Sequence, residues 1–182
     1  MAGPGGRGDV RQSGLHRATG VTETGGRPDA WTPPAGTFRI DREGAWRHEG
    51  LEVTHPGVIR NLYANLRVEG NSHFLQVGPA RIPVDVEDAP FVVTRIEVRD
   101  APGDMLGTLW GHLSDGSLEP LALESFWIGR RDTPYCRVKA ERFTARLSIA
   151  AWLQLAPFVD EGPRPGETTL VVGGQRVVLP RR

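Results

Sequence analysis

Phe74 to Val84, FLQVGPARIPV, and Thr169 to Leu179, TLVVGGQRVVL, carry one pattern ninety-five positions apart. In each copy alternating apolar residues run into a tight turn, Gly78-Pro79 or Gly173-Gly174, and alternate out again. Alternation on both sides of a glycine turn predicts a β-hairpin. Each copy also follows an apolar run at helical spacing: Val58, Ile59, Leu62 and Leu66 before the first, Ile149, Trp152, Leu153 and Ala156 before the second. Thr54 and Ser148 are the expected N-caps, Pro56 is tolerated in a first turn, and Pro157 should end the second helix.

Working outward, each helix is preceded by another hairpin. Phe38 and Ile40 face Trp46 and His48 across the turn DREG, Asp41 to Gly44. Tyr135 to Lys139 and Phe143 to Leu147 turn at Ala140 to Arg142. Both halves therefore read as hairpin, helix, hairpin, an α+β fold of two similar small modules from an internal duplication. Asp88-Ala89-Pro90 breaks the strand that starts at Arg81, because the residue before proline is held extended and proline cannot donate to a ladder. Phe91 to Val98 and Met105 to Leu113 form a meander beyond the break, with turns at Ala101 to Asp104 and Ser114 to Ser117, and Phe126 to Ile128 is a short edge strand. The boundaries expected are an N-terminal module over 37–90 and a C-terminal module over 91–182. Residues 1–36, rich in glycine and proline with no apolar period, are an expected disordered tail. The RGD at Arg7 to Asp9 lies in that tail and carries no weight.

Composition excludes several classes. Basic and acidic residues balance at 22 each, which argues against nucleic acid as the partner. No apolar stretch approaches the roughly 20 residues of a membrane span, nor is there an export signal, so the expected location is the cytoplasm. A single cysteine, Cys136, excludes an intramolecular disulfide and a cysteine-built zinc site, and its place in a strand suits a buried thiol. His48-Glu49 and His55 match no metal spacing, and neither a metal nor a cofactor is expected.

The charges are nonetheless segregated. From Pro83 to Glu124 nine acids (Asp85, Glu87, Asp88, Glu97, Asp100, Asp104, Asp115, Glu119, Glu124) face Arg95 and Arg99, a net of −7. From Arg130 to Arg146 six bases (Arg130, Arg131, Arg137, Lys139, Arg142, Arg146) face Asp132 and Glu141, a net of +4. Complementary solvated faces would look like this, and so would an anion site. Arg137 and Lys139 alternate to one face, and Arg146 on the partner strand joins them, which makes these three the best anion-site candidates. Trp46 and His48 in the first hairpin and Glu87 and Asp88 at the strand break complete the candidate ligand-binding set. Their structural alternatives are a core tryptophan, a surface histidine and carboxylates that close the break.

Several of these segments resemble a known family. Gly44-Ala45-Trp46 with Gly50, the helix through Leu62 and Val86-Glu87-Asp88-Ala89-Pro90-Phe91 are similar to the bacterial family catalogued as domain of unknown function 1285. So are Tyr135 to Lys139, Ala145-Arg146-Leu147, Trp152 to Leu155 and Val172-Gly173-Gly174, whereas Val53-Thr54-His55 departs from the family's pattern. The resemblance implies a duplicated α+β fold, a C-terminal module superficially like pleckstrin-homology domains, and no established activity. It further implies a non-enzymatic, signalling-type role with a small anionic ligand, nucleotide-like in its most concrete form, at the module interface. No phosphate loop is present, so side chains would hold such a ligand. The rival readings are a protein-interaction module and an enzyme of unrecognised type.

Overall fold

A computed structural model describes residues 35–99 and 107–182. The expected tail, apart from Ala35 and Gly36, and the turn expected at Ala101 to Asp104 lie outside the described residues. The first module comprises β1 (Phe38–Ile40), β2 (Trp46–His48), β3 (Leu51–Glu52), α1 (Pro56–Asn65), β4 (Leu66–Glu69), β5 (Ser72–Val77) and β6 (Ala80–Val86). Its strands form one sheet in the order β3-β2-β1-β6-β5-β4, antiparallel except where β1 lies parallel to β6 with Ile40 opposite Val86.

A meander follows, β7 (Phe91–Arg99), β8 (Thr108–Leu113) and β9 (Leu118–Pro120). After it come β10 (Trp127–Ile128), β11 (Pro134–Val138), β12 (Phe143–Leu147), α2 (Ile149–Leu155), β13 (Val159–Glu161), β14 (Thr168–Val172) and β15 (Gln175–Leu179). These make a second sheet, β10-β11-β12-β7-β8-β9, and a third, β13-β14-β15. The two meet where the chain beyond β15 runs parallel to β10: the Ile128 amide donates to the Pro180 carbonyl at 2.9 Å, and the Arg182 amide to that of Ile128 at 3.0 Å. Traced through this bridge, the order β12-β11-β10-β15-β14-β13 repeats β3-β2-β1-β6-β5-β4, with the helix between the third and fourth strands each time. The echoed segments are β5–β6 and β14–β15, and Gly78 and Gly173 take the same left-handed turn at φ 55° and 56°. The meander β7–β9 lies outside the repeat, and β7 joins it by pairing parallel with β12.

Burial of the apolar faces joins the modules. Phe38, Ile40, Trp46, Leu62 and Leu75 from the first belong to one core with Phe91, Val93, Cys136, Ala145, Leu155 and Leu170. Tyr63 stacks on Phe91 at 4.8 Å, and Phe91 meets Phe143 at 5.2 Å. The Tyr63 hydroxyl shares a 2.8 Å hydrogen bond with Ser114 Oγ, which also accepts from the Val92 amide at 3.1 Å. Gly44, at φ 85°, lets the first hairpin pack directly on Val92, where a Cβ would lie 2.8 Å from Cγ2.

The local expectations hold with instructive exceptions. Ser148 caps α2 by accepting from the Ala151 amide, but α1 is capped by His55 Nδ1, which accepts from the Gly57 amide, and not by Thr54. Leu66 leaves α1 to open β4. In α2 the buried residues are Ala151 and Leu155, while Ile149 and Leu153 stand outward. A helix reading IAAWLQL has no polar stripe to fix its phase, and Gln154 decides it. Its Oε1 accepts from the Ile96 amide at 2.7 Å, next to the irregular pairing of β7 at Thr94.

Candidate functional site

Because β4–β6 and β11–β12 approach each other across the shared core, an open cleft of about 670 Å³ lies between the modules. One wall is the β4–β5 turn and β6, with Asn71, Ser72, His73 and Asp85; the other is Arg137, Arg142, Phe143 and Thr144. Asp88 lines one side, in the bend that links β6 to β7.

The cleft's charges do not cancel inside it. Asp85 is met from outside by Arg39, Nε to Oδ2 3.3 Å. Asp88 accepts from the Tyr135 hydroxyl at 2.8 Å and lies 3.7 Å from Arg146 Nε. Burial, with the bond to Asp88 and its negative charge, pushes the Tyr135 phenol up to about 12, so Tyr135 stays a donor. Burial also lowers His73, which favours its neutral form and leaves the arginines to supply the positive charge in the cleft. Arg137 and Arg142 have no carboxylate partner among the described residues. The Arg137 guanidinium lies over Trp127 at 5.5 Å, and Trp127 stacks on Tyr135 at 5.6 Å, so a flat aromatic wall steadies the cation without neutralising it.

Of the residues singled out from sequence, Asp88 and Arg137 line the cleft, and Arg146 meets Asp88 from outside it. The others do neither. Trp46 is buried in the core against Phe38 and Tyr63. His48 stacks on Phe38 at 4.7 Å and bonds the Ala35 carbonyl at 2.8 Å, and Glu87 pairs with Arg39 at 3.4 Å.

Lys139 departs from the expected alternation because β11 ends one residue earlier. Lys139, Ala140 and Glu141 all take left-handed backbone, with φ of 56°, 54° and 62°. The lysine is thereby turned to Asp115 Oδ2 at 2.7 Å, Glu119 Oε2 at 3.3 Å and Ser117 Oγ at 2.5 Å, and its amide donates to Glu119 Oε1 at 2.6 Å. That network fixes the turn presenting Arg142, whose Nε donates to the Lys139 carbonyl at 3.1 Å. Arg142 and His73 escaped sequence reading, the first as a turn residue and the second because its facing strand is distant in sequence. Their only advance signals were the basic run for Arg142 and the β5 alternation for His73.

Among the described residues no group of three His, Cys, Asp or Glu side chains converges on a point, and no helix is long and apolar enough to cross a membrane. Fold and cleft together define a mixed α+β protein, mostly sheet, whose two similar modules flank an arginine-lined interface. Two solved structures have this fold. A DUF1285 family protein from Silicibacter pomeroyi DSS-3 is 22% identical with a TM-score of 0.64, covering 82% of this chain and 84% of that one. A second, from Shewanella baltica OS155, is 20% identical with a TM-score of 0.57, covering 67% and 91%. The chain is DUF1285-like in fold, in line with the resemblance read from its sequence. No family model matches it, and no curated protein does.

Proposed function

We propose that the protein is a cytoplasmic, non-enzymatic sensor that binds a small anionic ligand, such as a nucleotide, in the interface cleft and serves a regulatory role. In this reading the C-terminal module is the pleckstrin-homology-like half. The observation that carries the proposal is the pair Arg137 and Arg142: each carboxylate on the cleft wall is matched by an arginine from outside, and these two line the cleft without a carboxylate partner among the described residues. A guanidinium there offers a fork of donors to phosphate or carboxylate.

A thermal-shift screen of phosphate, nucleotides and carboxylates tests this. A ligand at about 100 times its dissociation constant should add roughly 2.7 kcal/mol. Arg137→Gln and Arg142→Gln should each remove the shift while leaving the unliganded melting temperature within about 2 °C, because Arg142 is exposed and neither makes an ion pair among the described residues. No stabilisation by any anion would overturn the reading. One observation favours a protein partner instead: Ile149 and Leu153 stand out from α2 at 75% and 65% exposure. Loss of partner binding in Leu153→Ser with anion binding absent would support that second reading.

A further inference from the structure

A second cleft, of about 390 Å³, opens between α1 and the β11–β12 turn. It shares Arg142 and Phe143 with the interface cleft, so the two adjoin. Its charged lining is Arg60, Arg67, Lys139 and Arg142 against one carboxylate, Asp115. Asp115 is already bound by Lys139, at 2.7 Å. Arg60, Arg67 and Arg142 therefore remain as cations with no carboxylate partner among the described residues. Arg67 Nη1 donates to the Ala64 and Leu66 carbonyls at 2.9 and 2.7 Å, which holds the guanidinium at the end of α1 and leaves its other N–H groups for a ligand. Tyr63, Phe91 and Phe143 line the floor.

Outside the clefts Arg47 meets Asp41, Arg81 Glu69, Arg176 Asp160 and Arg181 Asp132, while the arginines without a carboxylate partner there, Arg42, Arg130, Arg131 and Arg182, line neither cleft. Arg60, Arg67, Arg142 and Arg137 run instead through two joined clefts without such partners. A single phosphate would satisfy one end and leave the other. Resting on the reading of the interface cleft as an anion site, we infer that the ligand is an extended polyanion of the oligophosphate type, lying across Arg142 with one end at Arg60 and Arg67 and the other at Arg137. Its source is either free oligophosphate or the phosphate tail of a nucleotide. The acid-pinned turn Lys139 to Glu141 makes Lys139 a positioning residue for Arg142.

Calorimetric titration at fixed ionic strength with orthophosphate, tripolyphosphate and ATP tests the span. Wild type should bind tripolyphosphate at least roughly tenfold more tightly than orthophosphate, since each added charge-assisted contact is strong. The double variant R60Q/R67Q should keep wild-type orthophosphate affinity and lose that advantage. Arg142→Gln should weaken both probes, and R130Q/R131Q, in the basic run but outside both clefts, should change neither. Orthophosphate binding that depends on Arg137, with tripolyphosphate no tighter or with its advantage intact in R60Q/R67Q, would overturn the span and leave the interface site standing. Binding of none of the three probes would overturn the span, and absence of any carboxylate binding as well would overturn the interface site. ATP binding as tightly as tripolyphosphate assigns the chain to a nucleotide, and weaker ATP binding to free oligophosphate.

Discussion

Replacing Lys139 by Met should destabilise the protein more than an exposed ion pair would, and should do so in a pH-dependent way. The ammonium sits among Asp115, Glu119 and Ser117, with the lysine, aspartate and glutamate side chains only 20%, 14% and 22% exposed. Breaking a fully buried pair by removing one partner costs about 3–5 kcal/mol, whereas surface pairs contribute about 1 kcal/mol or less. Intermediate burial places Lys139→Met at about 2–3 kcal/mol, with Met keeping much of the apolar stem's packing. For a domain of this size that lowers the melting temperature by about 5–10 °C. Burial is the largest influence on Asp115 and would raise its pKa, but the hydrogen bonds from Lys139 and Ser117 and the lysine's charge outweigh it and bring the group below 3.8. A depressed folded-state pKa contributes stability that is present above pH 3.8 and is lost as pH falls through the folded value. Urea denaturation of wild type and variant from neutral pH to below pH 3.8 should therefore show the gap between them closing in acid. A loss under about 1 kcal/mol at neutral pH, or a gap that does not change with pH, would refute the account of the turn.

Three further outcomes follow from named contacts. The chain has two tyrosines, Tyr63 and Tyr135, both pushed by burial up to about 12, so phenolate absorbance should stay flat through pH 10 while the fold persists. Because their folded pKa values lie above the unfolded one, stability should fall as pH rises from 10 toward 12, and a tyrosine titrating at pH 10 in folded protein would contradict the buried environment described for it. Gly44→Ala combines a left-handed φ of 85° with a Cβ 2.8 Å from Val92 Cγ2, and should cost about 2–4 kcal/mol in urea denaturation. Ala140→Gly, at φ 54°, should raise stability by about 0.5–1 kcal/mol, since glycine relieves the left-handed penalty at some cost in unfolded-chain entropy; a loss of stability would show that the turn is unstrained.

What the sequence disclosed follows from how local each signal is. The β5–β6 and β14–β15 hairpins announce themselves through alternation and glycine turns, and Ser148 through its capping position. Strands β4 and β13 left no comparable trace, since one starts directly from the last turn of α1 and the other follows the short helical turn Ala156–Phe158. The phase of α2 was hidden for another reason. Seven nearly apolar residues fit any rotation, and the deciding bond reaches from Gln154 to Ile96, a partner that only the tertiary fold supplies.

The charge segregation was visible but ambiguous, and the fold narrows the set of unpaired cations by subtraction. The acidic stretch gives Asp88 to Arg146 and Asp115 and Glu119 to Lys139, so two of the three cations first grouped as an anion site are consumed by the acids upstream of them. Strand alternation cannot foresee this, because it assumes that the strand continues to Lys139, where the backbone has already turned left-handed. The same turn that removes Lys139 from the candidate set delivers Arg142 in its place. After the internal pairs are formed, the basic stretch retains Arg137 and Arg142 at the junction of the two clefts, beside Arg60 and Arg67 from the first module. The surplus positive charge is thus a property of the assembled interface, since neither module holds all four arginines by itself.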